Sequence, residues 1–367
     1  MSPTHLFPRR EFLKTTAAAL AGSTFARAAA APVKIGEGNW TYTLDASWGR
    51  LPEGMDFGLG CGVVADGRGR IVVTSRSANP CVAIFDKSGT LIETWSNNFA
   101  EKVGFTTEQV KQTAHGIYWS KEGADEFFYF TENVAKEDPK LGRRVYKTDL
   151  SGRILYTIGN VASADVTRQK FDWTSPTDVA VAPNGDIYVV DGYGSQRVSR
   201  FDKSWKHLKT IGAKTDPKDK GAKAPNDTFF TCHGIWVDTR RSEPEIYIAD
   251  RSNARLQVFT PALDYKRTIS GDAVRNPCCF YQHAGHLYVP DLAAMVTIWN
   301  DKDECVAKLG DGRGLAGGGA KAARDMDTMH GGKFFAPHAL TVDDEGSIYV
   351  VEWVGWGRVR KFRHTPA

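Results

Sequence analysis

The chain reads as an all-β, six-bladed propeller, and three features of the sequence point there. Segments of about 30 to 50 residues recur at 60–95, 114–158, 177–212, 234–270, 278–309 and 339–364, a period typical of propellers and solenoids. Within them the strands are short and turns frequent, the pattern of an all-β protein; the clearest copies run from Pro176 to Asp191 and from His338 to Glu352. Ahead of the first copy, Trp40–Asp45 reads as an orphan outer strand able to complete the last blade, which would close the ring and remove exposed sheet edges.

Taken in order, the chain opens with Pro8-Arg9-Arg10-Glu11-Phe12-Leu13-Lys14, a twin-arginine pattern. The modest apolar stretch from Thr15 to Phe25 and the small residues around Ala26-Arg27-Ala28-Ala29 complete an export signal too short to span a membrane. Residues 1–30 are therefore expected to be a cleaved leader, and 31–367 a single propeller in the periplasm or otherwise secreted. The 367 residues would suggest two domains on a simple count, but radial repetition lets one fold grow to this size. Each copy carries an inner strand, a Gly-containing turn, a second strand and a third that ends near Phe-Asp, as in Phe85-Asp86 and Phe201-Asp202. A fourth, outer strand follows, as in Leu208–Gly212. Ten Trp, 12 Tyr and 19 Phe can fill the blade interfaces. Segments 213–226 and 311–332 lack apolar periodicity and are expected as long surface loops, either insertions or lids over the blades that follow them. The formal charge is +4, and loss of residues 1–30 removes Arg9, Arg10, Lys14 and Arg27 against Glu11 alone. So near-neutral a remainder argues for neither nucleic acid nor an anionic membrane as partner.

Aligning the inner strands puts Cys61, His115, Thr177, His233, Cys278 and His338 at one register position, one per blade. The histidines fall in alternate blades and should converge on the axis about 120° apart. Three imidazoles without a carboxylate in their layer suit one Zn²⁺, with copper or iron as alternatives, and leave a fourth position open for catalysis. Cys61 and Cys278 are either small hydrophobes at a crowded axis or extra soft ligands. Among Cys81, Cys279 and Cys305, a bridge between Cys279 and Cys305 inside blade 5 is plausible. The turn Asp191-Gly192-Tyr193-Gly194 is one residue longer than its counterpart at Asp250, which lets Tyr193 lean over the channel. Near Zn²⁺ its phenol would ionise below its usual pKa of about 10 and serve as a base. Arg76 and Arg251 occupy comparable turns, either as surface ion pairs or as a clamp for a carboxylate.

In their order, Pro176–Val181, Asp191-Gly192-Tyr193, His233, Ala249–Arg255 and Pro337-His338 resemble the NHL-repeat propeller of peptidyl-α-hydroxyglycine α-amidating lyases. The resemblance implies that His115, His233 and His338 are zinc ligands, Tyr193 the catalytic tyrosine, Arg76 an active-site arginine and Arg251 an arginine facing the substrate. It implies cleavage of the carbon–nitrogen bond of a hydroxyglycine to an amide and glyoxylate. Two departures stand out. Ala336-Pro337-His338-Ala339 replaces the family's Met-Pro-His-Asp, so the aspartate associated with structural Ca²⁺ is missing, and Gly194 replaces a disulfide cysteine. The expected partner is a small-molecule substrate. The competing readings are a non-catalytic NHL propeller that binds a ligand or protein on its rim, and a lactonase-like hydrolase, although such enzymes usually build their metal site from carboxylate and Asn ligands.

Overall fold

In the computed structural model, residues 31–315, 323–325 and 331–366 are described. The twin-arginine segment and parts of the 311–332 loop lie outside them. From Val33 onward the chain forms one unit built of six blades.

Blade 3 shows the plan: Asp178–Val181, Ile187–Val190, Val198–Phe201 and His207–Ile211 pair antiparallel in that order, from axis to rim. Its second strand is buried on both faces. Successive side chains point opposite ways, so Ile187 and Val189 pack with Tyr129 and Val145 of blade 2, while Tyr188 and Val190 pack with Ile235 and Ile248 of blade 4. This repeats around the ring. The apolar residues form six principal clusters, one between each pair of neighbouring blades, rather than a common centre.

Closure follows the expected route. Tyr42–Asp45 pairs with Arg358–His364 of blade 6, Tyr42 opposite His364 and Asp45 opposite Lys361. Lys34–Ile35 adds one strand further out. The first and last segments of the propeller thus share a sheet, and Tyr42 is fully buried in it.

Two features depart from the sequence reading. Between blades 1 and 2 the chain forms helices Asn97–Lys102 and Thr107–Thr113, the second opened by a capping box between Thr106 and Gln109. Phe99 and Val110 pack them beside Trp95, and the second helix runs directly into the inner strand that begins at Ala114. The segment 213–226, expected as a bare loop, instead pairs Ala213–Lys214 with Thr228–Phe229 and includes a short helical turn at Pro217–Asp219.

Candidate metal centre

The inner strands of blades 3 to 6 enter the channel under the control of a carboxylate at the end of the adjoining second strand. The second strands of blades 2, 4, 5 and 6 end at Glu132, Asp250, Asp291 and Glu352, and Asp191 directly follows that of blade 3. Four of these five accept backbone N–H groups from the residues leading into the inner strand. Asp191 takes Thr174 N at 2.9 Å, Asp250 takes Phe230 N at 2.8 Å, Asp291 takes Arg275 N and Asn276 N at 2.8 Å, and Glu352 takes Ala336 N at 3.0 Å. An unpaired N–H there would be costly, so each carboxylate fixes where its inner strand starts.

At that start the histidine blades break register. The ladder shifts between Ala114 and Ile117, between Cys232 and Ile235, and between Pro337 and Ala339, placing His115, His233 and His338 at bulges. A bulge re-aims a side chain, and here it turns three imidazoles toward the axis. Glycine makes the close approach possible: a Cβ on Gly234 would lie 2.2 Å from the Cys278 carbonyl oxygen, and one on Gly116 would lie 2.8 Å from that of Thr177.

The three rings are buried, with centroids 4.8 to 5.0 Å apart. In each, Nδ1 donates to the carbonyl of the axis residue in the next blade: His115 to Thr177 at 2.7 Å, His233 to Cys278 at 2.8 Å and His338 to Cys61 at 2.7 Å. The six-residue register therefore has two roles, three imidazoles alternating with three carbonyls that orient them. With the proton on Nδ1, every Nε2 carries a lone pair directed inward. Burial, reinforced by Arg76 and Arg251, drives all three imidazoles toward the neutral form, His338 to a pKa of about 3.

These donors fit a metal ion. Their ligand atoms all lie within 4.8 Å of one another. The Nε2 atoms of His115 and His233 face each other at 3.2 Å, and that of His338 is buried with no protein partner. Inward-facing lone pairs repel unless a cation lies among them, and neutral nitrogen donors suit Zn²⁺.

Around the histidines stands a second ring, the residues that follow the second strands. Arg76 and Arg251 occupy one register position there, with Asn133 and Trp353 at the same place in blades 2 and 6. In blade 3 that place is Gly192, and Tyr193 follows it. Tyr193 exposes 42% of its surface at the mouth while its hydroxyl reaches inward, 3.1 Å from His233 Nε2 and 3.1 Å from Arg251 Nη1. The Arg251 guanidinium also lies over the Tyr193 ring. Burial raises the phenol's pKa, and Arg251 followed by Arg76 pulls it back down. The two guanidinium groups pull in the direction expected for Tyr193 beside a bound cation, and desolvation opposes them. Arg76 donates through Nη2 to Asn133 Oδ1 at 3.2 Å, and Asn133 in turn donates to the Pro176 carbonyl at 2.6 Å. Trp353 stacks on His338 and carries Arg76 over its ring at 5.1 Å.

Of the two cysteine expectations, the small-hydrophobe reading of Cys61 and Cys278 fits the structure and the bridge between Cys279 and Cys305 does not form. All six are free thiols. Cys279 lies by the axis near Ala339, whereas Cys305 begins the outer strand Cys305–Leu309, so the expected bridge would have to cross the whole blade. Burial pushes the Cys61 thiol up to about 12 and that of Cys278 up to about 11, which suits small buried hydrophobes rather than thiolate ligands.

The chain is a six-bladed β-propeller carrying an NHL repeat, whose family model matches residues 174–201 in blade 3. Among known proteins it is 24% identical over 221 residues to human NHL repeat-containing protein 3, a match covering 59% of this chain and 56% of that protein. It is 35% identical over 88 residues to a probable peptidyl-alpha-hydroxyglycine alpha-amidating lyase of Caenorhabditis elegans, covering 24% of this chain and 23% of that one. Peptidyl-alpha-hydroxyglycine alpha-amidating lyase 2 of Drosophila melanogaster is 28% identical over 180 residues, 48% of this chain and 39% of that protein. The chain thus spans little more than half the length of the curated relatives it matches, or less. Among solved structures, a gluconolactonase from Xanthomonas campestris superposes with a TM-score of 0.56 at 10% identity, covering 91% of this chain and 95% of that one. A streptogramin B lyase gives 0.52 at 13% identity, covering 92% and 100%. At such identities the likeness is one of fold.

Proposed function

We propose that this protein is a zinc-dependent lyase that breaks the carbon–nitrogen bond of a small α-hydroxyglycine or related carbinolamide. The observation that carries this reading is the Tyr193 hydroxyl, 3.1 Å from both His233 Nε2 and Arg251 Nη1, beside three neutral, convergent imidazoles. Sequence likeness to amidating lyases of the worm and the fly supports it.

His115, His233 and His338 would hold the ion. When bound there, Zn²⁺ supplies Lewis-acid polarisation of an oxygen. The protein's own groups divide the remaining work. Arg76 and Arg251 offer paired N–H groups to a substrate carboxylate, a geometry that lysine could not match. Tyr193, as phenolate stabilised by Arg251, takes the proton from the substrate's hydroxyl. The carbonyl of glyoxylate forms as the bond to nitrogen breaks, the electron pair leaves with nitrogen, and nitrogen takes up a proton to give the amide. Trp353 provides an apolar wall behind Arg76 and His338 that limits water at the reacting carbon. The twin-arginine pattern supports export to the periplasm, which cell fractionation of a tagged chain would test.

Tyr193→Phe should keep fold and metal while lowering glyoxylate release from hippuryl- or benzoyl-type hydroxyglycines by about 10²-fold or more. Failure of the zinc-loaded protein to release glyoxylate from a broad carbinolamide panel would exclude the lyase reading and leave a binding propeller.

A further inference from the structure

The channel does not end at the histidines. Below them it widens into a cavity of about 430 Å³, within the range of small-molecule sites, bounded by the inner strands. The inner strand of blade 2 begins at the histidine layer, at Ala114, and runs down to an exposed lower rim, where Lys121 stands. The walls are mainly apolar and aromatic. Tyr118, Trp236 and Tyr281, from blades 2, 4 and 5, form a contiguous arc, with neighbouring rings 5.6 Å apart.

One carboxylate lies among the residues that line this cavity. Asp178 exposes only 8% of its surface and is positioned one residue below Thr177 of the axis ring. Its two oxygens accept the amides of Val179 at 2.9 Å and Ile235 at 3.1 Å, but no cation among the described residues offsets its charge. A buried carboxylate without a counter-charge is expensive, and its pKa rises to about 7 through desolvation. Nearby, the indole Nε1 of Trp236 is buried without a protein partner. A carboxylate to pair a positive charge, with aromatic faces to surround it, is the chemistry that recognises an organic ammonium.

We propose that this lower chamber is a second binding site, for a small organic ammonium ion with an apolar tail, separate from the histidine centre. The ammonium would pair with Asp178 and its tail would lie against Tyr118, Trp236 and Tyr281. The assignment is independent of the lyase reading.

Isothermal titration of the metal-free mature protein with phenethylammonium tests it, with 2-phenylethanol as the uncharged control. The expected result is one site per chain, at least tenfold preference for the ammonium, loss of that preference in Asp178→Asn, and weaker binding in Trp236→Leu. Equal binding of the alcohol, or unchanged binding in Asp178→Asn, would overturn the proposal. So would binding that appears only in zinc-loaded protein, because the amine would then be reading the histidine centre. Binding of Ca²⁺ that depends on Asp178, with no binding of the amine, would replace the ligand class and also overturn it. If Asp178→Asn does not fold, the comparison of ammonium with alcohol and the Trp236→Leu variant still decide.

Discussion

Replacing any one of His115, His233 or His338 by Ala leaves two imidazoles, and two rarely hold Zn²⁺ against water. About one equivalent of zinc should copurify with the unaltered chain and be absent from each variant by elemental analysis. The same residues set an acid limit on the metal-free protein. Their folded-state pKa values lie below the unfolded value of 6.5, so the unfolded chain binds more protons as pH falls below 6.5. Stability is then lost progressively from there down, through about 3 for His338. Asp178 acts with the opposite sign, since its raised pKa favours the folded state below about 7. Urea midpoints of the metal-free protein should therefore fall from pH 7 to pH 5, and more steeply in Asp178→Asn; a flat profile in both would contradict the neutral-imidazole assignment. The histidines were legible because they repeat in register. Asn133 and Trp353 were not, because their register position also holds Arg76, Gly192, Arg251 and Leu292, unlike residues that form no pattern by type. The signal that would have found them is place: each directly follows the carboxylate closing a second strand.

Within a blade, those carboxylates matter more than their distance from the chemistry suggests. Glu352 accepts the amides of Phe335 and Ala336 and pairs with Arg358 and Arg360, all in a buried setting. Glu352→Ala should cost about 3–5 kcal/mol in urea unfolding, since it removes a buried anion from a charged network and leaves the buried amides of Phe335 and Ala336 without their acceptor. It should also weaken zinc retention, because the released amides lead straight into His338. Thr106→Ala, by contrast, removes one cap from an exposed helix start and should cost only about 1 kcal/mol, with metal content unchanged. The two helices escaped the repeat because they are six and seven residues long and lie between copies. The usable cue is Thr106 followed three residues later by Gln109, the spacing of a capping box. Segment 213–226 escaped because strands of two residues are too short to show alternation.

Across the whole molecule, six copies and an orphan first strand were enough to read the ring, since each blade buries its strands against its neighbours and none is stable alone. Deleting residues 31–45 should uncover the edge of Arg358–His364 and the space filled by Tyr42, lowering the calorimetric midpoint and promoting association detectable by light scattering. The orienting bonds of the three histidines span 62, 45 and 277 residues of sequence, the last joining blade 6 to blade 1. During folding, the third imidazole gains its carbonyl only when blade 6 has met blade 1. A polypeptide that stops before His338 lacks the third imidazole, and one whose blade 6 has not reached blade 1 lacks the carbonyl that aims it, so a complete set of oriented donors is a property of the closed circle alone.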